Sequence, residues 1–219
     1  MSAFTSGAAR SSNSYIFGRA GKGLDNADWA VSQGAAKAGQ AGERKTATVL
    51  DPLAGPNAVV LHDLMIPHEK YTANIDHVVV AGRTIYLIDS KAWKPGFLWT
   101  LGGKTRRGFE PFSSADSKTM SLARESILAY LTAHSINGMD VQCHVVVWPS
   151  RKEGKVSTWA ARMPGARLMG SDALSGFAKK IMSGKKPADA ATVSALRDLL
   201  TDSGNGQPGA SARRYMRRR

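Results

Sequence analysis

The chain has 219 residues, 42% of them hydrophobic, and 30 lysine and arginine residues against 17 acidic residues give a net charge of +13. This length suits a single folded domain with extensions, and no apolar run approaches the ~20 residues of a membrane span. The one cysteine, Cys143, excludes an intrachain disulfide and a thiolate zinc cluster and favours a reducing, cytoplasmic setting. The charge favours a polyanionic partner and no membrane partner.

The composition divides the chain into three parts. Residues 1–25 are rich in serine, glycine and alanine and are expected to be flexible, with at most a short docking segment around residues 15–17. Residues 26–202 form the predicted domain. Residues 203–219 are expected to be a disordered arm that raises nonspecific affinity for nucleic acid. The arm carries five arginines: Arg213, Arg214, Arg217, Arg218 and Arg219.

The first predicted element is a helix over residues 27–50, starting near Asp28, because good helix formers dominate the segment. One narrow stripe of this helix should face a sheet, and Glu43 is its only charged member. Glu43 therefore belongs to a polar site there or pairs with Arg44 or Lys45 at the rim. The uncharged members of the stripe are Ala36, Gln40, Ala47 and Leu50.

A β-hairpin is predicted next, because residues 75–80 and 84–89 are β-branched and apolar and a Gly-Arg pair at 82–83 suits a two-residue turn. The register set by that turn places Asp76 opposite Asp89. Both faces of the hairpin are covered by apolar side chains, so the strands should be central in their sheet. Lys91, Val78, Val80, Ile85 and Leu87 share the face of the two aspartates, and Ile75, Val79, Tyr86 and Ile88 occupy the other.

Two facing carboxylates beside one lysine are typical of a metal-dependent nuclease site. Opposed like charges repel by ~0.2–1 kcal/mol, and desolvation adds several kcal/mol for each unpaired charge. Lys91 supplies one compensating charge, and a divalent ion held by oxygen ligands would supply the rest. The alternative is that Asp76 caps a strand entry while Asp89 and Lys91 form a surface ion pair. The apolar strands and the short turn favour the metal site.

Three segments together resemble a known family. They are Ala41-Gly-Glu-Arg44, Asn74-Ile-Asp-His77 and Ile88-Asp-Ser-Lys-Ala-Trp93. They resemble the nuclease-related domain, NERD, of the PD-(D/E)XK superfamily, over residues 35–148. The resemblance implies a restriction-endonuclease-like α/β core, a central mixed sheet flanked by helices. It also implies that Glu43, Asp76 and Asp89 hold a divalent metal and that Lys91 orients the attacking water.

The implied ion is Mg²⁺, with Mn²⁺ as an alternative, and the implied products carry 5′-phosphate and 3′-hydroxyl ends. This chain departs from the family pattern twice. The family more often has glutamate at the position of Asp89. Where the family tends to have an Asn-Pro-x-x-Gln segment, this chain has Ser113-Ser-Ala-Asp-Ser-Lys118.

The remaining elements complete a three-layer sandwich. Strands are predicted at residues 58–66, 97–101, 141–148 and 156–161, and helices at residues 115–133, from Ser171 and from Pro187. His77 lies on the opposite strand face from Asp76. It is either a core histidine with satisfied nitrogens or a group that contacts the metal ligands.

Cations alternate with aromatic residues after the hairpin. This alternation is typical of a surface that binds nucleic acid strands. The alternative is that Trp93, Phe97 and Trp99 belong to the core. The candidate phosphate contacts are Lys94, Lys104, Arg106 and Arg107.

The function predicted is hydrolysis of DNA phosphodiester bonds by a cytoplasmic, bacterial nuclease, with RNA as another substrate class. The second hypothesis is an idle nuclease scaffold that binds nucleic acid without cutting it, as an accessory protein of a plasmid, phage or conjugative system. The sequence leaves the oligomeric state open.

Overall fold

The computed structural model describes residues 15–21, 33–68, 73–115 and 118–200. The predicted helix start near Asp28 and the arginine-rich arm lie outside the described residues. The predicted docking segment around residues 15–17 lies within the described residues. Residues 16–17 form an edge strand that pairs in parallel with Val60 and Leu61.

The described residues form ten strands and four helices. The strands are β1 (Ile16–Phe17), β2 (Ala58–Met65), β3 (Asn74–Ala81), β4 (Thr84–Trp93), β5 (Gly96–Leu101), β6 (Lys104–Arg107), β7 (Glu110–Pro111), β8 (Asp140–Pro149), β9 (Val156–Ala160) and β10 (Arg167–Gly170). The helices are α1 (Gln33–Leu50), α2 (Thr119–Ala133), α3 (Leu174–Met182) and α4 (Ala190–Arg197).

Two sheets organise these strands. The first has six strands in the order β1-β2-β3-β4-β8-β10, and the second has four in the order β7-β6-β5-β9. In the first sheet β2, β3 and β4 are antiparallel neighbours, whereas β8 pairs in parallel with both β4 and β10. The protein therefore has a mixed α/β fold whose central mixed sheet is flanked by helices, as the sequence predicts.

The β3–β4 hairpin has the predicted register. Ala81 pairs with Thr84 across the two-residue turn, and Gly82 takes a φ of +56°, which glycine adopts at low cost. Both strands lie in the interior of the six-stranded sheet. The hairpin is therefore the centre of the fold and not an exposed ribbon.

Apolar side chains cover both faces of the central sheet. One face packs Val78, Val80, Ile85 and Leu87 with residues of α2 and α4, and the other packs Val79 and Ile88 with residues of α1 and α3. Ile75 departs from the predicted alternation, since it packs on the first face. Its strand partner Leu64 does the same, directly after Asp63 adopts a left-handed φ of +58° and interrupts the regular alternation of β2.

Helix α1 buries a slightly different face from the predicted one. Within residues 37–50, whose side chains the structure describes, the buried residues are Gly42, Thr46, Ala47 and Leu50, and Glu43 is half-buried at the margin of this face. Ala36 of the predicted stripe lies outside the described side chains. A Cβ at Gly42 would lie 3.4 Å from Trp148 Cδ1, so the small residue lets the helix approach β8 closely. The predicted stripe is therefore rotated by about one residue, which places the polar Thr46 against the sheet.

His144 is a buried polar group on the α3 face of the sheet. Its ring lies 4.4 Å from that of Phe177 between centroids, and neither ring nitrogen has a partner among the described residues. Burial, and secondarily the nearby charge of Arg167, lower the pKa of His144 from 6.5 to about 4. The folded protein therefore holds this imidazole neutral through the range in which an unfolded chain would protonate it.

Replacement of His144 by leucine should flatten the acid side of the stability profile. Because the folded-state pKa lies below the unfolded value of 6.5, the contribution of His144 is complete above that pH and declines towards pH 4. Between pH 7.5 and pH 5 the wild type should lose on the order of 2 kcal/mol that His144→Leu retains. Urea unfolding at both pH values measures the difference. Parallel losses in the two proteins would contradict this assignment.

Candidate active site

The candidate site lies where β3 and β4 stop pairing. The ladder between them ends at the pair His77–Ile88, one step before Asp76 and Asp89 would face each other. At that point the Ser90 N–H donates to Asp76 Oδ2 over 2.6 Å. A side-chain carboxylate therefore replaces a main-chain acceptor between two central strands, which keeps the Ser90 amide satisfied.

Lys91 forms the cationic part of the site. Its Nζ lies 2.9 Å from Asp89 Oδ1 and 2.8 Å from Asp89 Oδ2. Burial alone would lower the pKa of Lys91, but the carboxylates of Asp89, Asp76 and Glu43 raise it above its usual value. The Lys91 side chain is 44% exposed, so the ammonium stays charged and accessible from solvent.

Asp76 is a half-buried carboxyl group in a negative environment. Burial raises its pKa well above the usual value, and the charges of Asp89 and Glu43 raise it further. Lys91 and the Ser90 N–H favour the ionised form, but they do not offset these effects. The charges of Asp76, Asp89 and Lys91 therefore lie close enough to shift one another's pKa values, as the predicted hairpin register requires.

Glu43 reaches the same place from α1. Burial and the charge of Asp63 raise its pKa to about 7, Asp89 adds a smaller effect, and a hydrogen bond from the Gly21 N–H opposes the rise. Gln40 on the preceding turn donates from Nε2 to the Gly21 oxygen over 3.0 Å. The segment after β1 therefore lies against α1 beside Glu43. Among the described residues, Glu43 does not form the alternative that the sequence predicted, an ion pair with Arg44 or Lys45 at the rim.

Asp63 is an acidic residue near the site that the sequence reading missed. Its neighbours in β2 pair as His62–His77 and Leu64–Ile75, so Asp63 lies opposite Asp76. It is buried, and its Oδ1 accepts a hydrogen bond of 2.7 Å from Asn74 Nδ2. Asp63, Asp76 and Asp89 therefore lie in one row across three neighbouring strands. The available signal was a charged residue in the middle of an apolar strand.

A hydroxyl network fixes α1 onto the sheet behind Glu43. Thr46 Oγ1 lies 2.8 Å from Ser90 Oγ, accepts from Trp148 Nε1 over 2.9 Å and donates to the Gly42 oxygen over 3.1 Å. Thr46 and Ser90 are both buried. Ser90 is thus held from both sides, since its amide contacts Asp76 and its hydroxyl contacts the helix that carries Glu43.

His77 belongs to a second polar group, which also contains His62 and Asp51. Its Nδ1 lies 2.8 Å from His62 Nδ1, and His62 Nε2 lies 2.9 Å from Asp51 Oδ1. Burial and the neighbouring His62 hold the pKa of His77 well below its usual value. These contacts favour the core histidine of the two predicted alternatives, but only Nδ1 is satisfied, because Nε2 of His77 has no hydrogen-bond partner among the described residues.

The donor set suits a hard divalent cation, because it consists of carboxylate oxygens whose mutual repulsion such an ion would relieve. Among the described residues, however, no three side chains of histidine, cysteine, aspartate or glutamate are already arranged as a metal site. Loading an ion would therefore require rotation of the carboxylates of Asp76, Asp89 or Glu43 towards one point.

The predicted phosphate contacts lie on the second sheet and its approach. Lys94, Lys104 and Arg106 are exposed, and Arg107 is half-buried with its guanidinium 5.2 Å from the centre of the Phe112 ring. The predicted arm arginines, Arg213, Arg214, Arg217, Arg218 and Arg219, are outside the described residues. They remain a prediction.

Comparison with family models identifies residues 38–148 as a nuclease-related domain, NERD. The chain belongs to the NERD family. The match covers just over half of the chain and contains Glu43, Asp63, Asp76, Asp89 and Lys91. It extends from α1 to the end of the segment that supplies Trp148, so the hydroxyl network also lies within the NERD domain.

Comparison with curated proteins and with solved structures gives no significant match. In the ranges that the structure describes, every helix is too short or too polar to act as a membrane span.

Replacement of Thr46 by valine should destabilise the NERD domain by about 1–3 kcal/mol. The substitution keeps the shape of the side chain but leaves the Trp148 indole and the Ser90 hydroxyl without this partner. Thr48→Val is the matched control, since Thr48 lies on the exposed side of α1 and bonds only the Arg44 oxygen within its own helix. Urea unfolding should place the control within about 0.5 kcal/mol of wild type. Equal losses for both variants would refute the network's contribution.

Proposed function

We propose that this protein is a metal-dependent nuclease that hydrolyses phosphodiester bonds of DNA at the Asp76, Asp89 and Lys91 site. The observation that carries the proposal is the meeting of two aspartates and one lysine where the central strands separate. Glu43 contributes a third acid from α1. Membership of the NERD family supports the same class of reaction.

Asp76, Asp89 and Glu43 would hold the metal ion, and Mg²⁺ or Mn²⁺ fits their oxygen donors. When bound, such an ion polarises a phosphate oxygen and lowers the pKa of a coordinated water. In the reaction the attacking water loses a proton as its oxygen bonds to phosphorus, the P–O3′ bond breaks, and the departing 3′ oxygen takes up a proton, so one proton is released and one consumed. This gives 5′-phosphate and 3′-hydroxyl ends.

The chain's own groups have distinct tasks in this proposal. Asp89 holds the Lys91 ammonium through two short contacts, and the ammonium has three N–H donors. Lys91 thus positions the attacking water or stabilises the charge that develops on the phosphate. The Ser90 N–H binds Asp76 Oδ2, which fixes the orientation of the Asp76 carboxylate relative to the main chain of β4. The other oxygen, Oδ1, would then contact the metal ion.

A second candidate function is binding of DNA or RNA without hydrolysis. Two observations favour it. The carboxylates of the described residues are not arranged as a metal site, and both oxygens of Asp89 are occupied by Lys91. A scaffold of this kind would use the basic surface to bind a strand, as an accessory protein of a plasmid, phage or conjugative system would.

Cleavage assays separate the two functions. Supercoiled, linear, single-stranded and branched DNA, and RNA, are incubated with the protein in Mg²⁺, Mn²⁺ or EDTA. The proposal predicts metal-dependent cleavage that falls at least about 100-fold in Asp89→Asn and in Lys91→Met, because each removes a charge from the reacting centre. Binding of DNA in EDTA should persist in both variants.

Two matched controls carry the same chemical changes outside the site. Asp172→Asn and Lys179→Met alter exposed residues of the turn before α3 and of α3 itself, and both should cleave as wild type does. Cleavage that survives Asp89→Asn and Lys91→Met would refute the site. Binding without cleavage by the wild type in every metal would establish the second function.

A further inference from the structure

The second sheet presents an outer face that carries aromatic rings. Along β5 the side chains of Phe97, Trp99 and Leu101 alternate with the buried Leu98, and along β9 Trp159 alternates with the buried Val156 and Thr158. Trp159 is 78% exposed and Phe97 is 40% exposed. The alternative prediction that these aromatic residues belong to the core is therefore correct for the buried Trp93 and wrong for Phe97.

Phe97 and Trp159 form a pair across the β5–β9 junction. Their ring centroids are 5.5 Å apart and their planes are inclined by 38°. The two strands pair in parallel at Phe97 and Ser157, and the register shifts between Phe97 and Trp99. Two adjacent strands thus hold the rings side by side, and an exposed tryptophan of this kind offers a flat surface to a ligand at little conformational cost.

Cations border the rings. Arg106 pairs with Trp99 in the β5–β6 ladder, and its guanidinium carbon lies 5.9 Å from the centre of the Trp99 ring. Trp99 Nε1 donates to the Gly108 oxygen over 2.7 Å, and Arg106 Nη1 donates to the Phe109 oxygen over 2.8 Å. These bonds hold the aromatic and basic groups on a fixed hairpin.

The charge of the second sheet is strongly positive. Residues 94–112 and 150–163 contain eight lysine and arginine residues and two glutamates. Beyond Trp159 a cavity of about 380 Å³ is lined also by Arg162 and Arg167. This surface therefore combines stacking groups with groups that attract phosphates.

We propose that this face, named here the ring platform and defined by Phe97, Trp99, Arg106 and Trp159, binds unpaired bases of single-stranded nucleic acid. Trp159 and Phe97 stack on successive bases, while Arg106 and the neighbouring cations contact phosphates. Bases within a duplex stack on one another and offer no free face to a side chain. The ring platform therefore selects single-stranded segments, including those of branched DNA.

The inference rests on the proposed function and specifies its substrate. Strands β4 and β8, paired side by side in the first sheet, are followed in the chain by β5 and β9, which are paired in the second. Phe97 is six residues beyond Lys91 along the chain, so their Cα atoms lie within about 20 Å of each other. A strand held on the ring platform can thus extend to the acidic site over a few nucleotides.

Binding of fluorescein-labelled oligonucleotides in EDTA tests the ring platform without catalysis. Probes are a short oligothymidylate, an oligouridylate of equal length and a DNA duplex, followed by fluorescence anisotropy. Trp159→Ala and Phe97→Ala should each weaken binding of the single strands by about tenfold and binding of the duplex by less than about twofold. The two single-strand probes distinguish DNA from RNA as the source of the bases.

Leu101→Ala is the matched control, since Leu101 is 74% exposed on the same strand face but has no ring. It should bind all three probes as wild type does. Trp159→Phe should retain most of the affinity, because a ring remains for stacking. It should also lose part of the quenching of tryptophan fluorescence that a stacked base causes. Thermal unfolding confirms that each variant is folded.

Three results would overturn the inference: unchanged binding by the double variant Phe97→Ala, Trp159→Ala; equal losses for duplex and single strands; or an equal loss in Leu101→Ala. The first would leave the surface to another class of partner, such as a protein. Cleavage in Mg²⁺ is scored separately. Ring-dependent binding by a protein that does not cut supports the ring platform and refutes the nuclease, and cutting without ring-dependent binding does the reverse.

Discussion

The hydrogen bond from the Ser90 amide to Asp76 is the interaction on which the site depends. Because the carboxylate takes the place of a main-chain acceptor, β3 and β4 separate at Asp76 without leaving the Ser90 N–H unsatisfied. The space between the strands then holds charged groups in the middle of a sheet whose two faces are packed with apolar side chains. The packing of the fold enforces the proximity of these charges.

As a consequence, the site contains more carboxyl groups than its one lysine can balance electrostatically. Burial and mutual repulsion raise the pKa values of Asp76 and Glu43, and Lys91 supplies the ammonium that partly balances them. Asp63 extends the row of aspartates into β2. A protein would lose stability by holding acids in this way without a ligand, so the arrangement suggests that a cation completes it. The second sheet, by contrast, combines cations with exposed aromatic rings. It is connected to the first sheet through β4 and β8, which lead along the chain to β5 and β9.

The hairpin could be predicted from sequence because its turn is short. Gly82 and its neighbour leave one register, and that register brings Asp76 to Asp89. Asp63 could not be placed in the same way, since the connection between β2 and β3 has no turn signal that sets their pairing. The left-handed backbone at Asp63 also interrupts the alternation on which such reasoning depends. Glu43 was placed on the correct helix, but its stripe was off by about one residue, because close packing of Gly42 on Trp148 sets the rotation of α1.

The ring platform could not be predicted from the sequence for a different reason. Alternation along β9 separates Trp159 from Val156 and Thr158, but it does not say which side faces solvent. That depends on whether anything packs on the outer face of a second sheet, and the short strands β6 and β7 gave no clear sequence signal. The prediction that Phe97 belongs to the core was wrong for the same reason.

Uptake of Mn²⁺, followed by the loss of its free-ion signal in electron paramagnetic resonance, tests the central claim most directly. The account predicts that the wild-type protein binds the ion and that Asp76→Asn, which keeps the shape of the side chain, weakens binding by about tenfold or more. Asp172→Asn should bind as the wild type does. Equal uptake by the wild type and Asp76→Asn, or no uptake by the wild type, would contradict the account.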